Sequence, residues 1–203
     1  MSGLTLLTGS VDEITVNRRE ALRYLGYRGR QADAGIDALF DRAQKALQTC
    51  AAPKACFAQY DLTADGDALA FGGLRLQSAS LAKNLQGCDS LFLFAATLGA
   101  GVDRLLLRLQ KTEPAFAPVF DAYCSAAVEG WCNLVNEKLA EGRTLRPRFS
   151  PGYGDVPLSV QPQILSMLDA TRKLGITLTD TLFMTPCKSV TAFVGIEGQE
   201  PRA

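Results

Sequence analysis

The sequence contains no histidine, and that one absence removes Ser-His-Asp and Cys-His nucleophilic catalysis, HExxH zinc chemistry and imidazole acid–base work together. Any chemistry carried out here must come from a cofactor, a carboxylate, a tyrosine or a partner. The six cysteines, Cys50, Cys56, Cys88, Cys124, Cys132 and Cys187, include no C-x-x-C pair, so neither a zinc site nor a thioredoxin-like motif is signalled; they read as mostly buried thiols. An excess of either charge is missing too. Lys and Arg number 21 and Asp and Glu 21, which leaves no electrostatic footprint for nucleic acid or for an anionic membrane surface. No apolar run approaches the roughly 20 residues that span a bilayer, and Met1 to Ser10 lacks the basic start and cleavage pattern of a signal peptide, so a cytoplasmic protein is expected. Repeats and low-complexity linkers are also absent. With 47% hydrophobic residues there are enough apolar side chains for a core, and residues 1–203 are expected to form a single domain.

Hydrophobic periodicity predicts the elements. After an extended Leu4 to Ile14, Asn17 followed by Glu20 predicts a capped helix that carries Leu22 and Leu25 and ends at Gly26 and Gly29. Ile36, Leu39, Phe40, Ala43 and Leu47 share one face of a second helix that stops before Pro53. From Ala55 to Leu76 the period changes to two, and FAQYDL and ALAFGGLRL around Asp65 and Gly66 predict an antiparallel hairpin. A short helix from Ser78 to Asn84 follows. Ser90 to Thr97 is apolar on both alternations, as in a central strand covered on both faces.

That strand leads into Gly99 and Gly101 at the start of another helix, where an anion could bind. The pattern is only G-x-G, with no complete dinucleotide or Walker motif, and glycines permitting a tight turn are the simpler reading. A long helix from about Pro114 to Ala140 carries Phe116, Phe120, Tyr123, Ala127, Trp131, Leu134 and Lys138 along its principal stripe. Glu129 lies off that stripe with Ser125, Cys132 and Asn136, a face that fits either a pocket wall or solvent and by pattern favours solvent.

The most informative stretch runs from Arg148 to Thr179. Arg148 offers a planar fork for a carboxylate or phosphate, Gly152 allows backbone to approach a ligand, and Tyr153 adds a flat face with a polar tip. Pro147, Pro151 and Pro157 restrict the loop and reduce the entropy lost on binding. Ser159 is a candidate N-cap for a helix carrying Ile164, Leu165, Met167 and Leu168, with Pro162 in its first turn, Arg172 and Lys173 at its end and Gly175 as its stop. A proline-rich connection whose arginine makes a surface salt bridge fits the spacing equally well. Lys188 reads as a solvated charge at a strand end, and Asp155 has no assignment beyond its nearness to the loop.

Taken together, R-x-S-P-G-Y at Arg148 to Tyr153, Pro157, Met167-Leu168-Asp169, LGITLTDT and MTPCKSVTAFVGI resemble the activation domain of cobalamin-dependent methionine synthase. ALRYLGYRG, ASLAKNLQGCDSLFLFAATLGAGVD and AAVEGW extend the likeness to stand-alone versions of that domain over most of the chain. The resemblance implies an α+β fold around a twisted, mainly antiparallel sheet flanked by helices. It implies S-adenosylmethionine as the small-molecule ligand and a partner that carries cobalamin. A flavodoxin-like donor would reduce cob(II)alamin and S-adenosylmethionine would then methylate it. On the family pattern the cofactor-binding residues fall on Arg148, Pro151, Gly152, Tyr153 and Glu129. Arg148 would hold the methionine carboxylate, backbone near Gly152 and Tyr153 would meet the adenosine, and Glu129 would hold the ammonium or ribose hydroxyls. The family's aspartate near the start of the domain and its tyrosine-bearing segment beyond the last strand have no counterpart in this sequence, which implies a less enclosed ligand. A chain of 203 residues has no room for homocysteine, folate and cobalamin modules, so a separate activation subunit is expected. A corrinoid-protein binding or assembly module that does not use S-adenosylmethionine is the alternative, and a nucleotide site at Gly99 and Gly101 a third reading.

Overall fold

The computed structural model describes residues 3–27 and 34–198. Its centre is a four-stranded antiparallel sheet in the order β1 (Thr5–Thr8), β2 (Lys54–Asp61), β6 (Cys88–Thr97) and β9 (Ser189–Glu197). β6 is interior, as its two-sided apolarity requires. Phe92, Phe94 and Ala96 face one core, while Leu91, Leu93 and Ala95 face another, because successive strand side chains point to opposite faces. The first core is closed by α1 (Arg18–Tyr24), α2 (Ala34–Cys50), α4 (Ala100–Thr112) and α5 (Ala117–Ala140). The second is closed by α3 (Ala79–Asn84), α6 (Gln161–Met167), α7 (Ala170–Leu174) and a small sheet of β3 (Thr63–Asp65), β4 (Ala68–Phe71) and β5 (Leu74–Gln77). A two-stranded ribbon of β7 (Thr177–Leu178) and β8 (Met184–Thr185) completes the described elements. The fold is α+β, with antiparallel sheets flanked by helices, as the sequence led us to expect.

Local chemistry accounts for the helix ends. The Asn17 side chain accepts from the N–H groups of Arg19 and Glu20 and opens α1, and Ser78 opens α3 by accepting from Leu81 N at 3.0 Å. On α2, Ile36, Phe40, Ala43 and Leu47 are all buried, which is the predicted face. The predicted stop at Gly29 lies outside the described residues. α5 supplies the centre of the first core through Phe120, Tyr123, Ala127 and Trp131. The Trp131 indole N–H is satisfied by Lys54 O at 3.0 Å, so the largest buried side chain leaves no orphan donor.

Two expected elements take a different form. FAQYDL does not pair with ALAFGGLRL. It forms β2 between β1 and β6, because Ala55 and Phe57 pack on one core while Cys56 and Ala58 pack on the other, and such a strand needs neighbours on both edges. The predicted turn instead joins β3 to β4, and Gly72 and Gly73 split ALAFGGLRL into β4 and β5. The single helix expected after Ser159 is broken as well. Leu158–Val160 forms a 3₁₀ turn, α6 has no side-chain cap, and the chain turns at Asp169 with φ 48° before α7. A short acidic side chain tolerates that left-handed backbone. Arg172 and Lys173 do occupy the last turn of α7, and Gly175 ends it.

Gly101 resolves the G-x-G motif. A Cβ there would lie 2.0 Å from Cys50 O, a backbone atom at the end of α2, so the glycine is required for the close approach of α4 to α2. Gly101→Ala is therefore expected to cost at least about 1–3 kcal/mol through overpacking and to lower Tm by several degrees in a chain of this size. Scanning calorimetry checks this, and an unchanged Tm would mean that α4 can slide away freely.

Candidate functional site

The segment after α5 is fastened to the outer edge of β9. Arg146 N donates to Gly195 O at 2.8 Å and Glu197 N to Thr144 O at 3.0 Å, while Phe149 and Phe193 exchange backbone bonds of 3.0 and 2.8 Å. These bonds act as a partial extra strand and fix the backbone on both sides of Arg148. The chain then closes a small turn. Tyr153 N donates to Ser150 O, Val156 N to Tyr153 O and Gly152 N to Val156 O, at 3.1, 3.1 and 2.8 Å. Pro151 is buried beneath this turn, whereas Tyr153 stands at the rim, 69% exposed.

Asp155 now has an assignment. Its carboxylate accepts from the Ser78 hydroxyl, from Ala79 N at 2.8 Å and from Ser80 N at 3.2 Å, which ties the turn to the start of α3. Gly154 makes the tie sterically feasible, because a Cβ there would come within 2.7 Å of the Ser80 side chain. Three hydrogen bonds to the ionised form favour it, and the Ser78 hydroxyl is the main cause of a carboxyl pKa held below the ordinary value.

Between α5 and this turn lies a groove of about 470 Å³ lined by Glu129, Asn136, Arg148, Ser150, Tyr153 and Val190. Arg148 spans it. One guanidinium nitrogen donates to Asn133 Oδ1 at 2.8 Å and another to Glu129 Oε2 at 3.0 Å. The α5 face that the pattern assigned to solvent is thus a groove wall, because the loop folds back over it. Asn136 also lines this wall, but its Oδ1 is enclosed without a hydrogen-bond partner, a deficit of order 1–3 kcal/mol. Cys132 does not belong to the wall. It is fully buried, and desolvation pushes its thiol up to about 12 even though the Arg148 charge opposes the shift.

Of the five candidate residues, Arg148 and Glu129 meet directly, Tyr153 forms the rim, and Pro151 and Gly152 build the turn. Sequence reasoning missed Asn133, although it lies one helical turn beyond Glu129 and that spacing is a usable signal. Val190 and Ser150 gave no signal of their own. Lys188 is a correction. It is 9% exposed rather than solvated, and its ammonium donates to Ser125 Oγ and pairs with Asp121 Oδ1, both at 2.8 Å on α5. An ammonium is buried at a strand end only when such partners meet it.

An edge groove in an α+β fold that holds a guanidinium and a carboxylate within bonding distance has the chemistry of a candidate small-molecule site. Among the described residues no group of three His, Cys, Asp or Glu side chains is placed to hold a metal ion, and no helix is long and apolar enough to cross a membrane. Comparison with known proteins shows what the chain is similar to. Residues 115–200 match the family model described as vitamin B12 dependent methionine synthase, activation domain. The structure of the MetH reactivation domain bound to AdoHcy matches with a TM-score of 0.74 at 15% identity, over 99% of this chain and 80% of that chain. Among curated proteins no similar sequence is found. The chain therefore has the fold of the methionine synthase reactivation domain, and the resemblance seen in its motifs is borne out. The matched segment contains Glu129, Arg148 and the Gly152–Tyr153 turn.

The Asp155 tie has a testable pH signature. Its folded-state pKa lies below the unfolded one, so its contribution is complete above the unfolded value and is lost as pH falls through the folded value. The stability gap between wild type and Asp155→Asn is expected to be full at neutral pH and to close across that acidic range in urea denaturation. A gap independent of pH would show that the charge plays no part.

Proposed function

We propose that this chain is a stand-alone activation module for a cobalamin-dependent methionine synthase, binding S-adenosylmethionine in the Arg148–Glu129 groove and supporting reductive methylation of cob(II)alamin held by a partner subunit. The carrying observation is the contact between Arg148 and Glu129 across a groove of about 470 Å³, a volume within the range of small-molecule sites.

The residues present fit an amino-acid zwitterion. The Arg148–Glu129 pair is 21% and 43% exposed at its two side chains, so it is partly hydrated and worth about 1 kcal/mol or less. A ligand carboxylate can therefore replace Glu129 on the Arg148 fork at little cost, and the ligand ammonium then restores a partner to Glu129. The backbone of the Gly152–Tyr153 turn lies at the rim, where the adenosine end would meet it. Bound S-adenosylmethionine supplies an electrophilic methyl group, and the reduced cobalt of the partner supplies the nucleophile. The chain's own task is to orient the sulfonium and to limit water around it. A flavodoxin-like protein is the expected electron donor, and no general base is required of a chain without histidine.

Calorimetry distinguishes a site from a fold. Wild type is expected to bind S-adenosylmethionine, and Arg148→Ala to lose about 2–5 kcal/mol, or roughly 30-fold and more in Kd. 5′-Methylthioadenosine, which lacks the amino-acid end, is expected to bind both proteins alike. Wild type that binds neither ligand overturns the methyl-donor reading; an equal loss for both ligands overturns the role given to Arg148. With a cobalamin-carrying partner and a reductant, cob(II)alamin should be consumed only when S-adenosylmethionine is also present, as followed by its visible absorbance.

A further inference from the structure

The geometry points to a second binding site, for a small dianionic oxyanion such as a phosphoryl group, in the cleft between the end of α2 and the first half of α4. This cleft has a volume of about 460 Å³ and is lined by Thr49, Cys50, Gly101, Arg104, Leu105 and Arg108, with no carboxylate among them. None of its lining residues belongs to the Arg148 groove.

Positive charge is concentrated in this cleft, and no ion pair among the described residues offsets it. Arg104 and Arg108 are one helical turn apart on α4, a like-charge spacing that destabilises a helix by about 0.2–0.5 kcal/mol. Both are exposed, and neither enters any of the ion pairs among the described residues, a state they share with Arg19, Arg75 and Arg143. The nearest acidic neighbour in sequence, Asp103, is already committed, accepting from the N–H and the thiol of Cys187 at 2.9 Å each. The thiol of Cys50 feels both guanidinium charges, which oppose the upward shift that burial imposes on it.

A role in completing the α2 helix dipole does not account for both arginines. The last turn of α2 carries no basic residue of its own, and a cation across the cleft would complement it. A helix C-terminus is equivalent to only about half a negative charge, however, so two guanidinium groups leave a surplus of about 1.5 positive charges facing a concave space. Paired planar forks match the geometry of a phosphoryl group. Leu105 adds an apolar patch to the same cleft, which would suit the carbon skeleton of an organic phosphate.

Titration calorimetry with inorganic phosphate and with pyrophosphate, against chloride of matched ionic strength, tests the proposal. The expected result is saturable one-to-one binding in wild type and at least a tenfold loss of affinity in the Arg104→Ala, Arg108→Ala double variant, with S-adenosylmethionine titrations of the two proteins unchanged relative to each other. Should the double variant fold poorly by circular dichroism, the single Arg104→Gln and Arg108→Gln variants are each expected to weaken phosphate several-fold. Absence of saturable binding in wild type overturns the site, as does phosphate affinity that survives both substitutions. Binding of a hexaglutamate peptide without phosphate binding also overturns it, since that would mark the cleft as a docking face for an acidic protein.

Discussion

The pairing of Thr144–Phe149 with β9 is the constraint on which the groove depends. β9 is bonded to β6 along one edge, and on the other it holds the loop through Arg146, Phe149 and Glu197. Without those bonds Arg148 would sit on a free connection between helices, with several rotatable bonds to order before it could meet α5. With them, the backbone on either side of Arg148 is part of the sheet, and the side chain has only to cross to Glu129 and Asn133. The Asp155 tie to α3 does the same for the far side of the turn. The loop is thus held at one end by β9, whose side chains serve both cores, and at the other by α3 of the second core, while the wall it faces belongs to the first.

This arrangement explains how a polar site survives beside two apolar cores. Glu129 is turned from Trp131 and Phe120 toward the loop, so its charge meets a guanidinium and water rather than hydrocarbon. Lys188 and Asp121 repeat the pattern two turns earlier on α5, at the opposite end of the same face. Both ion pairs join α5 to the chain beyond it, one through the loop and one through the start of β9. The second is the more enclosed at its cation, and breaking it would leave a buried ammonium without its carboxylate, a far larger penalty than a surface pair carries.

Much of this fold was legible in the sequence, because each legible feature is governed by near neighbours. The cap at Asn17, the buried stripe of α2 and the two-sided apolarity of β6 all follow from spacing alone. β2 was misread as half of a hairpin because a local turn signal at Asp65 and Gly66 outweighed a non-local fact, the presence of β1 and β6 on either edge. The same limit applies to the groove. Arg148 and the Gly152–Tyr153 turn stood out by residue type, but that Glu129 faces them across 19 residues of chain depends on how the loop folds over α5. Lys188 was misread for that reason also, since its partners Asp121 and Ser125 are more than 60 positions earlier. The motif resemblance grouped Glu129 with Arg148, which do meet, where periodicity did not, because a motif pattern carries tertiary information that spacing lacks.

The cysteines gain a meaning from their protonation. Burial pushes Cys56 and Cys132 to about 12 and Cys187 to about 11, and it raises Cys50, Cys88 and Cys124 as well. Only the thiolate is a strong nucleophile, so at neutral pH these sulfurs are chemically quiet, including Cys132 directly behind Arg148. Together with the absence of histidine, this leaves the surroundings of the groove poor in soft nucleophiles. A sulfonium held there would be shielded from self-alkylation of the protein, and its methyl group would remain available to an acceptor arriving from outside.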